Sequence, residues 1–335
     1  MTVAMQPSLP PLSHHPRVVA KVDLDGKSPS PVEDKSPLPV EDEAGDGLVA
    51  INAHRCFSYR SLGAPGGKPL IALHGTPGSR LKFVAAHEAA KRRGIRLIAP
   101  DRWGYGATTA HDAPSLSAFA DDICRFADKL GLETFDVLGV SGGGPFAVAV
   151  AATAPQRVTS LSLVAPVGPI AGEPDDEITS FHRLCFGALS QRPTAIGAVF
   201  QAFRAMLDIS PDLGVRVAML RIAAADRRIL GRKDVTSHLG ETFAAGLRPG
   251  VVGPVTDLGL FGTRWDIDVA QAHVPARMWL GSVDQNVPRS AARRLASRLP
   301  QCTLTELPGE GHLWVTDHFE AVLSWIVSQS ASAAA

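Results

Sequence analysis

From Leu48 onward this chain alternates short, almost wholly apolar runs with segments of helical spacing, and that alternation restricts its fold more than any other feature. An apolar run without polar alternation suits a strand buried on both faces. Such strands joined by helices build a mainly parallel sheet covered on both sides, an α/β fold. The strand candidates are PLIALHG (69–75), IRLIAP (95–100), FDVLGV (135–140), RVTSLSLVAP (157–166), ARMWLG (276–281) and CTLTEL (302–307). Ahead of them LVAIN and CFSYR, split by Ala53–His54, read as an antiparallel pair. Between the runs, residues 79–94 and Leu116–Leu130 carry helical spacing and stop at Gly94 and Gly131, as helices closed by a C-terminal glycine do. Further helices are expected over Pro145–Ala154, Arg289–Leu299 and Thr316–Ser328, with a frayed SQSASAAA tail.

The alternation breaks between Val167 and Trp265. There helices are expected over Asp175–Ser190, Thr194–Leu207, Pro211–Arg228 and Asp234–Leu247, with Ser210-Pro211 as a capped helix start. The expected organisation is a tail over 1–46, an α/β core over 47–166 and 266–328, and a helical insertion over 167–265. The tail is rich in Pro, Ser and acids and poor in large apolar groups, so disorder is its default. Over the full 335 residues 45% are hydrophobic, enough to bury a sizeable core. Lys+Arg and Asp+Glu both total 33, so there is no basic field for a nucleic-acid backbone. No apolar run is long enough to span a bilayer. The opening MTVAMQPSLPP lacks the marks of a secretory signal, and Cys56, Cys124, Cys185 and Cys302 lie far apart without CxxC pairs, so a soluble cytoplasmic protein with reduced thiols is expected. No nucleotide-binding loop and no metal-ligand spacing is present, so neither cofactor nor metal is expected. The expected partner is a small-molecule substrate, with no nucleic acid and no membrane; a monomer and a homodimer both fit.

The sharpest local signal is Gly139-Val140-Ser141-Gly142-Gly143, between the strand 135–140 and the following helix. A serine on so tight a strand-to-helix turn is pushed out of the sheet with its hydroxyl exposed, and small neighbours let the turn close. Serine needs a base, and the base needs an orienting carboxylate. His312 in PGEGHLW and Asp284 in LGSVDQNVP both follow strands, so both belong at the carboxyl edge that presents Ser141. Their order Ser141, Asp284, His312 suits a nucleophile on such a turn. His318 is a rival base, and Asp257, Asp266 and Asp268 are rival acids. Backbone N–H groups of Thr76, in His74-Gly75-Thr76-Pro77-Gly78-Ser79, and of Gly142 are the candidate oxyanion donors. Pro77 has no N–H and stiffens that loop, which His74 shapes.

LHGTPGS, PDRWGYG, LGVSGGGPFA, LGSVDQNVP and PGEGHLW resemble the successive signatures of the α/β-hydrolase superfamily, most closely its capped, esterase-like branch. The resemblance runs from Gly47 to Ser328. It implies an eight-stranded, mostly parallel sheet with a helical lid inserted after the sixth strand. It also implies Ser141 as nucleophile, His312 as base, Asp284 as acid and Thr76 and Gly142 as oxyanion donors. Asp101, Arg102 and Gly104 would shape the loop after the fourth strand, and Trp103 stands where the family varies. His74, Asp101 and Ser141 also occur in the chain order of chymotrypsin-like proteases, but those are double β-barrels and Ser141 here precedes helix-forming FAVAVAAT.

The reading that follows is a metal-independent serine hydrolase acting on an ester of a small or medium, apolar molecule. Phe181, Phe186, Phe200, Phe203, Met206 and Leu207 lie at helical spacing in the insertion; Phe181, Phe186 and Phe203 are the candidate pocket residues. Two alternatives remain open. Proline-type aminopeptidases and C–C bond hydrolases of similar architecture use the same three side chains, and Asp175, Asp176 and Glu177 could hold a substrate ammonium. A non-catalytic small-molecule receptor could also retain the fold.

Overall fold

The computed structural model describes residues 45–173, 178–219 and 222–333, without the side chains of 330–333. Of the tail expected over 1–46, only Gly45 and Asp46 fall among them, and both belong to the first strand; Asp175, Asp176 and Glu177 lie outside the described residues.

Eight strands form one sheet: β1 (Gly45–Ala50), β2 (Cys56–Gly63), β3 (Lys68–Leu73), β4 (Ile95–Pro100), β5 (Phe135–Val140), β6 (Val158–Val164), β7 (Ala276–Gly281) and β8 (Cys302–Leu307). They lie in the order β1-β2-β4-β3-β5-β6-β7-β8. Only the β1–β2 and β2–β4 pairings are antiparallel. Side chains alternate across each central strand. Ile71 and Leu73 join Ile98, Val137, Phe119 and Phe146 on one face, while Leu70 and Ala72 join Leu97, Ala99, Leu138 and Val140 on the other. With both faces covered, no polar alternation is needed, which explains the continuous apolar runs.

The core helices are α1 (His87–Arg92), which continues the 3₁₀ segment Arg80–Ala86, then α2 (Leu116–Lys129) and α3 (Gly144–Thr153). The Ser115 hydroxyl accepts from Ala118 N–H at 3.1 Å and so starts α2. Every residue of α3 from Gly144 to Ala152 is buried, so FAVAVAA is apolar all round. Between β6 and β7 come α4 (Ser180–His182, continued as a π-helical turn over Arg183–Leu189), α5 (Pro193–Ile209), α6 (Pro211–Ala218), α7 (Ala224–Leu230), α8 (Lys233–Leu247) and α9 (Val252–Phe261). The chain closes with α10 (Arg289–Arg298) and α11 (Val315–Ala333), which runs past Ser328 into the segment expected to fray.

Two elements of the insertion differ from the sequence expectation. The helix expected over Pro211–Arg228 ends at Ala218, and Ala223 is extended (φ −61°, ψ 159°) before α7 begins. Ile222 and Ala223 are buried there, so tertiary packing outweighs local helical spacing. The helix α9 was not anticipated, because VGPVTDLGLF has Gly and Pro in its first turns and no clear apolar stripe. Its Gly253 lies against the Tyr105 ring, where a Cβ would come within 2.6 Å. Tyr105 in turn joins Leu207, Val215, Leu239, Phe243 and Leu247 in a separate apolar cluster, which seats the insertion on the core.

The sheet order sets the position of the site. From β3 the chain steps to β4 on one side, then crosses to β5 on the other. The loops leaving β3 and β5 therefore come together at the carboxyl edge of adjacent strands, where sites gather in such sheets.

Phe119 is fully buried in the core, with edge contacts to Trp103 at 5.1 Å and Phe146 at 4.6 Å. Phe119→Ala should lower unfolding free energy by about 3–5 kcal/mol, read from urea unfolding, whereas Phe119→Leu should cost much less.

Candidate active site

Ser141 directly follows β5 in the left-handed region at φ 54°, a conformation that costs a side chain strain and lifts its hydroxyl off the sheet. The turn closes only because its neighbours are small. A Cβ on Gly143 would stand 2.2 Å from the Leu73 carbonyl oxygen, and one on Gly139 would stand 2.7 Å from the Ala147 Cβ.

His312 enters from the loop after β8. Its Nε2 lies 3.0 Å from Ser141 Oγ and its Nδ1 lies 2.7 Å from Asp284 Oδ2. A carboxylate can only accept, so Nδ1 carries the hydrogen and Nε2 keeps the lone pair that faces the serine hydroxyl. Asp284, in the loop after β7, is held by its other oxygen, which accepts from Asn286 N–H at 2.7 Å and Val287 N–H at 3.2 Å. Burial alone would push the His312 pKa down. The charge and hydrogen bond of Asp284, with the charge of Asp226, more than offset it and leave the pKa above the ordinary histidine value.

The loop after β3 meets this turn directly. A Cβ on Gly75 would stand 3.2 Å from Ser141 Cβ, and one on Gly142 would stand 3.1 Å from Thr76 N. Thr76 and Gly142 are thus neighbours beside the serine, joined in space by two loops that are 66 residues apart in sequence.

A buried guanidinium holds that loop. Arg102 is 1% exposed; its Nε donates to the His74 carbonyl at 3.0 Å and its Nη2 donates to the Gly75 carbonyl at 3.1 Å and Thr76 Oγ1 at 3.0 Å. It also forms a two-pronged pair with Asp257 of α9, with Nη1–Oδ1 at 2.5 Å and Nη2–Oδ2 at 2.8 Å. The hydroxyls of Thr76 and Tyr105 both donate to Asp257 Oδ2 at 2.6 Å. His74 Nε2 accepts the Arg102 backbone N–H at 3.1 Å, while Nδ1 faces the Gly75 carbonyl at 2.8 Å. Burial and the Arg102 charge hold the His74 pKa well below the usual value, so it is a neutral brace of the loop. Asp101 fixes the next turn by accepting the Arg80 backbone N–H at 2.6 Å and its guanidinium at 2.8 Å.

The other sequence candidates are engaged elsewhere. The His318 ring stacks on Trp314 and lies 2.8 Å from its carbonyl. Asp266 accepts the Leu116 N–H at the head of α2, and Asp268 caps the short turn Val269–Gln271. Of the candidate pocket residues, Phe203 packs edge-on against Phe243 inside the insertion, Phe186 is buried beside Phe261, and Phe181 is 37% exposed.

One carboxylate near the site went unnoticed in the sequence. Asp226 of α7 is fully buried and accepts the backbone N–H groups of His312 at 3.0 Å and Leu313 at 2.8 Å. A Cβ on Gly311 would stand 2.3 Å from its carboxylate, so the GEGH loop needs glycine at 311 to let Asp226 in. That glycine was the only signal, and nothing local pairs it with a residue 85 positions upstream.

A family model described as alpha/beta hydrolase fold matches residues 68–191. Over that segment the chain is similar to this family, and its eight-stranded sheet with flanking helices has the α/β-hydrolase fold. Among curated proteins it is 29% identical over 262 residues to a dihydrolipoyllysine-residue acetyltransferase component of an acetoin cleaving system from Pseudomonas putida, covering 77% of this chain and 62% of the relative. It is 32% identical over 122 residues to a proline iminopeptidase from Xylella fastidiosa, covering 35% of this chain and 38% of the relative. Among solved structures, an esterase from Exiguobacterium antarcticum superposes with a TM-score of 0.64 at 19% identity, covering 82% of this chain and 95% of the other. The chain therefore spans less than two thirds of these two curated relatives, and the structural likeness is one of fold.

Removing Asp257 would leave the Arg102 charge buried without its counter-ion. Asp257→Ala should cost about 3–5 kcal/mol of stability, measured as a shift of the urea midpoint, and Asp257→Asn distinctly less.

Proposed function

We propose that this protein is a serine hydrolase that cleaves a carboxylic ester of a small to medium, largely apolar substrate through an acyl-enzyme on Ser141. The observation that carries this reading is the unbroken hydrogen-bonded series from Asp284 through His312 to Ser141, set against a loop whose backbone is braced by Arg102. In the proposed reaction Ser141 Oγ attacks the ester carbonyl as His312 Nε2 takes its proton. The carbonyl oxygen becomes an oxyanion facing the N–H groups of Thr76 and Gly142. Collapse expels the alcohol, which leaves with the proton from His312. Water then attacks the acyl-enzyme, giving its proton to His312, and Ser141 regains a proton as the acid departs. Asp284 keeps the ring in the tautomer with Nδ1–H and stabilises the imidazolium that forms at each attack.

The esterase of similar fold and the curated relatives named for acyl transfer and for peptide hydrolysis fit acyl chemistry on this frame. The iminopeptidase relative supplies the rival substrate class. Hydrolysis of p-nitrophenyl esters set against amino-acid anilides separates the two; a strong preference for anilides would overturn the ester reading. A fluorophosphonate should label Ser141, and Ser141→Ala should lose the label and about 10⁴–10⁶-fold in kcat with the fold intact. Turnover near that of the unaltered protein would remove Ser141 from its role.

The pH profile has a defined sign. His312 works only unprotonated, and its raised pKa places the acid-side fall in kcat/KM above the ordinary histidine range. In Asp284→Asn the charge that raises it is gone, so the residual activity, lower by about 10⁴-fold, should fall off at a lower pH than in the unaltered protein. An acid limb that stays in place would dissociate Asp284 from His312.

A further inference from the structure

The loop that carries His312 is gripped from two sides, one belonging to the core and the other to the insertion. On the core side Gly309 N–H donates to Ser282 Oγ at 2.8 Å, and the Glu310 carbonyl accepts Val283 N–H at 3.0 Å. Gly281 closes that side, since a Cβ there would stand 2.4 Å from the Gly311 carbonyl oxygen. On the insertion side stands Asp226 of α7, with its two oxygens divided between successive backbone groups. Oδ2 accepts His312 N–H at 3.0 Å and Oδ1 accepts Leu313 N–H at 2.8 Å. His312 is the point where the loop passes from one grip to the other.

Asp226 is fully buried, and among the described residues no cation forms an ion pair with it. A buried carboxylate without a counter-ion is costly, and hydrogen bonds to both oxygens offset that cost. The two N–H groups gain as well, because a buried backbone donor without a partner carries a penalty of its own. The contact is therefore demanding in geometry. It is satisfied when residues 312 and 313 turn both N–H groups toward α7, and in that arrangement His312 Nε2 lies 3.0 Å from Ser141 Oγ. There is no slack at Gly311, where a Cβ would first meet Asp226 Oδ2, Cγ and Oδ1, at 2.3, 2.4 and 2.4 Å.

The same carboxylate bears on the ring. Burial lowers the His312 pKa, Asp284 and Asp226 raise it and Lys82 lowers it, with a net rise. Of the neighbouring charges, Arg227 donates to the Ile222 carbonyl, Arg228 is exposed and Asp317 of α11 pairs with Arg232. We propose that Asp226 is a positioning residue for the acid–base step: from the insertion it holds the backbone of His312 so that the imidazole meets Ser141, and it adds a second negative charge in support of the imidazolium. The inference rests on the serine-hydrolase reading and goes beyond it, because it ties the base to a residue outside the α/β core.

The test pairs Asp226 with the glycine it faces, in the full chain with p-nitrophenyl butyrate as substrate. Asp226→Ala should lower kcat by about 10²-fold with KM nearly unchanged, the effect expected of a misplacement of about 1 Å. Gly311→Ala, which displaces the carboxylate without removing its charge, should lose a comparable factor. In the Asp226→Ala background the same change should add less than about twofold, because the space it needs is vacated there. Asp226→Asn keeps one acceptor oxygen and loses the charge, so its kcat should fall less than that of Asp226→Ala. His312 works unprotonated, and without this charge it sheds its proton more readily, so the acid-side fall in kcat/KM of Asp226→Asn should move to lower pH. Arg228→Ala, on the exposed side of α7, should alter neither kcat nor the profile. Should Asp226→Ala fail to fold, Asp226→Asn and Gly311→Ala carry the test through their own kcat and pH profiles. Losses that multiply to about 10⁴-fold in the double variant, a kcat in Asp226→Ala near that of the unaltered protein, or an acid limb unmoved in Asp226→Asn would overturn the positioning role and leave the hydrolase reading in place. Absence of both ester turnover and fluorophosphonate label at Ser141 in the unaltered protein would remove the hydrolase reading, and this role with it.

Discussion

A guanidinium buried beneath the insertion governs how the site is assembled. Arg102 binds two carbonyls and the Thr76 hydroxyl of the loop after β3 and closes on the Asp257 carboxylate of α9. Taking such a pair out of water costs several kcal/mol per ion, and the attraction offsets that cost only where the remaining donors are satisfied. Here they are, and the guanidinium also lies over the Phe146 ring at 4.5 Å. The consequence is a loop whose backbone direction is set by side chains from two distant parts of the chain.

Asp226 does the same for the opposite wall, binding the backbone of His312 and Leu313 from α7. The inserted helices therefore anchor both the loop that bears the base and the loop that faces the nucleophile. They are joined further to the core through the Gly106 N–H to Gly246 carbonyl bond and the packing of Gly253 on Tyr105. A movement of the insertion away from the sheet edge would pull on both loops at once.

The core was legible because its signals are local and redundant. The strands β3, β4, β5 and β7 are largely apolar runs, α2 announces itself with Ser115 and Gly131, and the turn at Ser141 carries its own glycines. The grouping of Ser141, Asp284 and His312 followed from strand order, because residues just past parallel strands share one edge. The insertion was less legible. Its helix break depends on the burial of Ile222 and Ala223, and α9 depends on packing against Tyr105 and on the Asp257–Arg102 pair, which compete with helical spacing and win. Phe203, legible as an apolar helix position, is used to hold the insertion together with Phe243.

By itself the sequence determined the alternating α/β layout, the strained serine turn and the chemical kinds of side chain delivered to the carboxyl edge. These depend on contacts within a few residues or on the fixed period of strands and helices. Tertiary structure alone decided that Asp257 pairs with Arg102 and that Asp226 holds the histidine loop. Each of those is a long-range electrostatic match between groups of ordinary composition, and only the packing of the insertion on the sheet edge brings such groups within reach of one another.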